Sequence, residues 1–274
     1  MTDGRESAEY VPERFWAERY RSLDLTRSGH RDLPEAYNRW LYRRKRAVLR
    51  RALAAERVHL AGARVLELGV GTGAYLPMWR RLGARVIGID LSEAAAACAR
   101  ERHPECEILV DDVTAPGLAA RCPGPCDLVA ALDVLYHVVD DAKLAQALAN
   151  AAQLLRPGGW LVLHDQFLHR PSESHGYIRW RSLEDWQALL AAAGFQVVAR
   201  VPIFFGMIRP TDWRSPGVAA RMDAVWDRTE TLIHRAPALA GALAFAVDSV
   251  LGRLLREGPS MELLLARRAP GPAP

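Results

Sequence analysis

Apolar positions along the chain change their period near residue 60. Over residues 10–57, Leu33, Tyr37, Trp40 and Leu41 recur at helical spacing ahead of an arginine-rich continuation, with Pro34 suited to a helix start. From Arg64 the pattern becomes a series of short apolar runs, each followed by a helical stretch. RVLELG (64–69), RVIGID (85–90), EILVDD (107–112), CDLVAAL (126–132) and WLVLHD (160–165) read as buried strands. Between them the spacing predicts helices over Tyr75–Leu82, from a Ser92 cap through the alanines to Arg102, and over Lys143–Leu155, the last stopped by Arg156-Pro157-Gly158-Gly159. Strands alternating with helices imply a parallel, doubly wound α/β sheet.

The C-terminal third adds a helix over Ser182–Ala193 with Gly194 past its end, a sixth strand FQVVARVPIFF (195–205) and a seventh, SMELLLARR (260–268). About 55 residues separate the last two, too many for a hairpin loop, and Leu239, Leu243, Val247, Val250, Leu251 and Leu254 fall on one helical stripe there. The expected organisation is one domain over 1–274: an N-terminal helical cap (1–60), a cofactor-binding core (61–205), a helical insertion (206–258) and a final strand (259–270).

Composition supports a globular chain: 274 residues, 50% hydrophobic and 25% charged, with no repeat period. The formal charge of +4 lies wholly in residues 1–57, where 14 basic residues face 9 acidic ones. Arg43, Arg44, Lys45, Arg46, Arg50 and Arg51 point around most of a helix, which reads as a solvated face and argues against a nucleic-acid partner. Cys98, Cys106, Cys122 and Cys126 lack zinc-pair spacing and read as free thiols of a reducing compartment; no metal site is expected. No apolar signal core or membrane span is evident, because Asp248 interrupts the longest apolar stretch, Ala236–Val247, so the expectation is a cytoplasmic protein.

The candidate chemistry begins at Gly69-Val70-Gly71-Thr72-Gly73-Ala74, a loop between the first strand and a helix where backbone can approach a ligand. Because position 74 is alanine, the stretch also satisfies G-x-G-x-x-A, so a nicotinamide dinucleotide has to be weighed. Glu67 discriminates: a carboxylate at the first strand tip repels a pyrophosphate and favours a cationic amino or sulfonium group. Asp90, closing the second strand, suits the ribose diol of either cofactor.

VLELGVGTGAYL followed by VIGIDLS resembles the class I S-adenosylmethionine-dependent methyltransferases, and the likeness continues through ILVDDV, CDLVAALDVLYHV and LLRPGGWLVLHD, over about residues 64–200. The resemblance implies a Rossmann-like, seven-stranded, mostly parallel sheet with an antiparallel final strand. It also implies S-adenosylmethionine as cofactor. Gly69, Gly71 and Gly73 would surround its methionine part, with Glu67 nearby through the amino group or a water. Asp90 would take the ribose hydroxyls, Leu91 would pack on adenine, Asp112 would accept from the exocyclic amine and the Val113 amide would meet a ring nitrogen. Asp111 replaces Asp112 if the register slips by one, and Leu132 would approach the methionine backbone.

Methyl transfer from a sulfonium asks the protein to align the acceptor and exclude water, and a hydroxyl acceptor must also lose a proton. His137 is the favoured base, with His164 and Asp165 as further candidates; a structural role for each is the competing reading. The Asn-Pro-Pro-Tyr or Asp-Pro-Pro-Tyr stretch seen after the fourth strand in amino-methylating nucleic-acid and protein members of that family is replaced by Leu132-Asp133-Val134-Leu135, so the resemblance favours a small-molecule acceptor. Tyr37, Trp40, Tyr42, Phe204, Phe205, Met207 and Trp213 are candidates for an apolar acceptor pocket. The expected function is O-methylation of a small, partly apolar molecule in secondary metabolism. The alternatives are an isoprenoid or lipid acceptor whose anionic head is held by Arg43 and Arg44, an NAD(P)-dependent oxidoreductase, a nucleic-acid or protein methyltransferase, and a non-catalytic cofactor-binding module. The insertion would serve as acceptor pocket, peripheral membrane contact or homodimer interface.

Overall fold

A computed structural model describes residues 10–20, 29–212 and 216–269. The N-terminal pattern yields two helices, α1 (Pro12–Arg19) and α2 (Glu35–Ala55), with Pro34 as the N-cap residue of the second. Strand β1 (Arg64–Leu68) leads to α3 (Leu76–Arg81), β2 (Arg85–Asp90), α4 (Glu93–Arg102) and β3 (Glu107–Val110). Then come α5 (Leu118–Arg121), β4 (Cys126–Leu132), α6 (Asp141–Leu154) and β5 (Leu155–Asp165). Ser92 caps α4 as expected, its Oγ accepting from the Ala95 amide.

Two short strands and a longer one follow, β6 (Phe167–Leu168), β7 (Glu173–His175) and β8 (Ile178–Ser182), which form a small sheet the apolar pattern does not announce. The chain then runs through α7 (Leu183–Ala192), β9 (Phe195–Pro202), α8 (Pro216–Arg235), α9 (Pro237–Leu254) and β10 (Glu262–Arg268).

The main sheet has seven strands in the order β3-β2-β1-β4-β5-β10-β9. β1 to β5 run parallel, and β10 is antiparallel to both β5 and β9, as the resemblance implied. The order reverses beside β1, so the tips of β1 and β4 border the crevice where such sheets take ligands. Side chains alternate between two cores. Val65, Leu128 and Ala130 join Leu49 of α2 and Trp79 of α3 on one face. Leu66, Leu68, Val129 and Ala131 meet Leu144 and Leu148 of α6 on the other.

Three expectations change. Pro157-Gly158-Gly159 does not end in a turn before the strand but lies inside β5, whose register jumps from Cys126–Leu155 to Leu128–Trp160, with Gly158 at φ +70° absorbing the irregularity. Tyr37, Phe204, Phe205 and Met207 are buried core, not an acceptor pocket, and the Tyr37 hydroxyl donates to the Met207 carbonyl at 2.9 Å. Trp40 packs on α9, where a Cβ on Gly241 would fall 2.4 Å from its ring. The reason is common to all: α2 and α9 close against each other over the end of β9, and their aromatics fill that seam. Trp213 lies outside the described residues.

The third change concerns the insertion stripe. Leu239, Leu243, Val247, Val250 and Leu254 face outward, 53–72% exposed, while α9 turns Ala240, Gly241 and Asp248 inward. Asp248 is fully buried and accepts from the Phe205 and Gly206 amides, which satisfies an otherwise costly carboxylate. Arg44 is buried beside it, donating to the Ile203 carbonyl, and Arg43 lies over the rings of Trp40 and Phe245. The Arg44 guanidinium is thereby taken into the core, away from any anionic head, whereas Arg43 stays exposed. All four cysteines are free and buried.

Candidate active site

The glycine loop leaves β1 at Gly69, in the left-handed region at φ +68°. A Cβ there would come 2.4 Å from Cγ2 of Val134, the second residue after β4. The loop and the β4 tip therefore touch only because position 69 carries no side chain. Asp90 ties the loop to β2: one carboxylate oxygen accepts from the Gly71 amide at 2.7 Å and the other from the Ser92 amide at 2.9 Å. Burial raises its pKa against those two bonds, and each oxygen keeps a lone pair for a further donor.

Beside this lies a cleft of about 360 Å³, bordered by Gly69, Asp90, Leu91, Asp112, Val113 and His137 from the expected set. Asp112 accepts from the Thr114 amide and hydroxyl, fixing its carboxylate at the rim. Asp111 is turned away onto Arg121 at 2.6 Å, so Asp112, not Asp111, borders the cleft. Gly71 and Gly73 shape the loop without bordering the cleft, Gly73 lining a smaller cavity behind it. Leu132 is buried in the core beneath Asp133 and Val134, which do border it.

Glu67 departs most from expectation. It points into the core below the loop, 1% exposed, and accepts from the Trp79 indole at 2.7 Å. Burial, opposed by that bond, pushes its pKa up to about 8, so the carboxyl is protonated at neutral pH and is no fixed anion at the strand tip. The fixed negative charge sits one strand over, on Asp133. This residue adopts φ +63° at the end of β4, and its Oδ2 receives the Lys45 ammonium at 2.8 Å and the Tyr75 hydroxyl at 3.0 Å. Burial alone would raise its pKa, yet Lys45 and then His164 hold it well below the usual carboxylate range. Its Oδ1 has no hydrogen-bond partner among the described residues and lies 3.5 Å from Nδ1 of the fully buried His164. Sequence reading missed Asp133. The available signals were a lone lysine on an arginine-rich helix and an aspartate directly after a buried strand.

His137 stands on the far side of the cleft. Its Nδ1 is 3.1 Å from the Tyr177 carbonyl, which can only accept, so Nδ1 carries the proton and Nε2 the lone pair. The ring stacks on Tyr177 and meets Trp16 edge-on. Burial lowers its pKa to about 4, leaving the imidazole neutral across the physiological range. The apolar cover of the cleft comes from Tyr10, Trp16 and Tyr20 on and around α1, not from the aromatics expected in the seam. His164 and Asp165 are sealed in the core, and Tyr42 lines the smaller cavity behind the loop.

Two carboxylates with lone pairs left to accept, the apolar walls Leu91 and Val113, and a backbone-lined approach at Gly69 form a lining that fits a nucleoside with a ribose diol and an aminated base. A methyltransferase-domain family model matches residues 37–200. The chain is 39% identical over 110 residues to a ubiquinone biosynthesis O-methyltransferase of Pseudomonas aeruginosa, covering 39% of this chain and 46% of that protein. It is 32% identical over 159 residues to one from Burkholderia thailandensis, covering 51% and 67%. The chain thus spans about half to two thirds of the length of the curated relatives it matches. By fold it is similar to magnesium protoporphyrin IX methyltransferase from Synechocystis PCC 6803 with bound S-adenosylmethionine, at 15% identity, TM-score 0.56, and 96% and 100% coverage. It is also similar to a Haemonchus contortus phosphoethanolamine N-methyltransferase, at 15% identity, TM-score 0.61, and 96% and 49% coverage. With the family model covering most of the chain and the strand order agreeing, this chain belongs to the methyltransferase-domain family, class I, Rossmann-like and S-adenosylmethionine-dependent.

Proposed function

We propose that the protein methylates a hydroxyl oxygen of a small, partly apolar acceptor, with His137 as the proton-accepting group. The observation that carries this reading is the tautomer of His137: the Tyr177 carbonyl fixes Nδ1–H, so Nε2 keeps a lone pair, on a residue bordering the same cleft as Asp90 and Asp112. S-adenosylmethionine supplies a methyl group already activated on a sulfonium. Asp90 holds the ribose hydroxyls, Leu91 packs on adenine, Asp112 with the Val113 amide reads the base edge, and Gly69 admits the methionine part. Tyr10, Trp16 and Tyr20 cover the acceptor and keep water out, which strengthens the alignment. Nε2 takes the hydroxyl proton as the acceptor oxygen attacks the methyl carbon, the C–O bond forming as the C–S bond of the sulfonium breaks and the neutral thioether, S-adenosylhomocysteine, leaves.

The acceptor class has two readings. The apolar cover suits a natural-product hydroxyl, as in secondary metabolism. An acceptor with an isoprenoid tail is favoured by the relatives named as ubiquinone biosynthesis O-methyltransferases. Transfer of labelled methyl to a phenol with and without a prenyl chain separates them. Calorimetry with S-adenosylhomocysteine tests the cofactor site: Asp90→Ala is expected to weaken binding by about 1–3 kcal/mol through lost charge-assisted hydrogen bonds. Unchanged affinity removes Asp90 from the site, and binding of NADPH in place of S-adenosylhomocysteine overturns the reading. His137→Ala is expected to lower kcat about a hundredfold with cofactor affinity kept.

A further inference from the structure

The α8–α9 hairpin exposes two apolar rows with an arginine row beside them. On α9, Leu239, Leu243, Val247, Val250 and Leu254 recur in steps of four and three, one side of a helix, and each is more than half exposed. On α8, Val218, Val225 and Leu232 repeat every seven residues at 42–54% exposure. Seven residues are two turns, so the three stand above one another about 10 Å apart. Arg221, Arg228 and Arg235 repeat with the same step, three residues further on in each case, and therefore form a neighbouring row. Among the described residues these three arginines form no ion pair with an acidic side chain.

The acids of the hairpin are kept off this face. Asp223, Asp227 and Glu230 gather around Arg209 on another side of α8, at 2.9, 2.5 and 3.7 Å. Asp248 of α9 is buried. Arg253 borders the Leu254 end of the α9 row, and Leu255 and Arg256 continue the exposed apolar and basic mixture past the helix. The acid that follows, Glu257, is paired with Arg200 at 3.2 Å. A solvated helix surface normally mixes both signs. An apolar row with arginines beside it instead matches a surface that is apolar below and anionic at its boundary.

We propose that the outer face of the α8–α9 hairpin docks on an anionic lipid bilayer, lying in the headgroup plane. Pro237–Leu254 has the length and apolar composition to cross a membrane, but its inner face is fixed to α2 and holds buried Asp248, so it lies on the surface and does not span. The valines and leucines enter the acyl boundary, and the arginines remain at phosphate level.

The test is co-sedimentation of the full chain with vesicles of equal parts phosphatidylglycerol and phosphatidylcholine, against phosphatidylcholine alone. Binding is expected only with the anionic lipid, and to weaken as salt is raised. Replacing Arg221, Arg228 and Arg235 by alanine should cost about fivefold each, or of the order of a hundredfold together. Leu243→Glu with Val247→Glu should abolish binding. All five positions are exposed, and unchanged S-adenosylhomocysteine affinity serves as the control that the variants are folded. Failure of the wild type to sediment overturns the proposal, as does binding indifferent to both sets of variants. A stable dimer in light scattering that Leu243→Glu dissociates, without vesicle binding, assigns the face to a second copy instead. None of these readouts requires turnover, so their outcome is independent of the proposed methyl transfer.

Discussion

Glu67→Gln isolates the electrostatic state of the β1 tip. In the folded chain the carboxyl is fully buried and its pKa rises from 4.5 to about 8, chiefly through loss of hydration. A carboxyl raised in this way keeps its proton where the unfolded chain has already released it. Its favourable contribution is complete below 4.5 and is lost as the pH climbs towards 8. Each pH unit within that window costs about 1.4 kcal/mol, so between pH 5 and pH 7 the wild type should lose about 3 kcal/mol through this one group. That is a large share of a typical 5–15 kcal/mol stability. Glutamine keeps an oxygen for the Trp79 indole, nearly the same volume, and has no proton to release. Urea unfolding followed by tryptophan fluorescence should therefore give similar stabilities for the two proteins at pH 5. At pH 7 the variant should be the more stable by about 3 kcal/mol, with the same m-value. Parallel stability curves across pH 5–8 would mean that Glu67 is ionised in the native state and that the β1 tip carries a fixed negative charge after all.

Gly69→Ala should lower stability by about 2 kcal/mol or more, because a Cβ meets Val134 and the backbone is left-handed; it should also impair S-adenosylhomocysteine binding, and thermal melts with calorimetry check both. Lys45→Met should destabilise by about 3 kcal/mol by leaving the buried Asp133 carboxylate without its cation. Since Lys45 depresses the Asp133 pKa, that stabilisation is present above the ordinary value of 3.8 and fades as the pH falls below it. The difference between wild type and variant in urea melts should narrow in the same range.

Local pattern determined much of this protein. Runs such as RVLEL and CDLVAAL are apolar on both faces, and only a sheet covered on both sides buries them, so the parallel core follows from residues near in sequence, whereas the order of its strands is set by tertiary pairing. The Ser92 cap, the glycine loop and Asp90 were legible for the same reason: their roles rest on neighbours within a few positions or on the fixed geometry of a strand tip. Tertiary structure decided whatever depends on distant partners. Glu67 reads as an anion until Trp79 and the core remove its water. Asp133 reads as a loop residue until Lys45, 88 positions away, is laid against it. The α9 stripe has the same periodicity whether it faces a core or solvent, and only the packing of Gly241 on Trp40 and the burial of Asp248 set the helix rotation that turns its leucines outward. Periodicity fixes which residues share a face, and long-range packing fixes where that face looks.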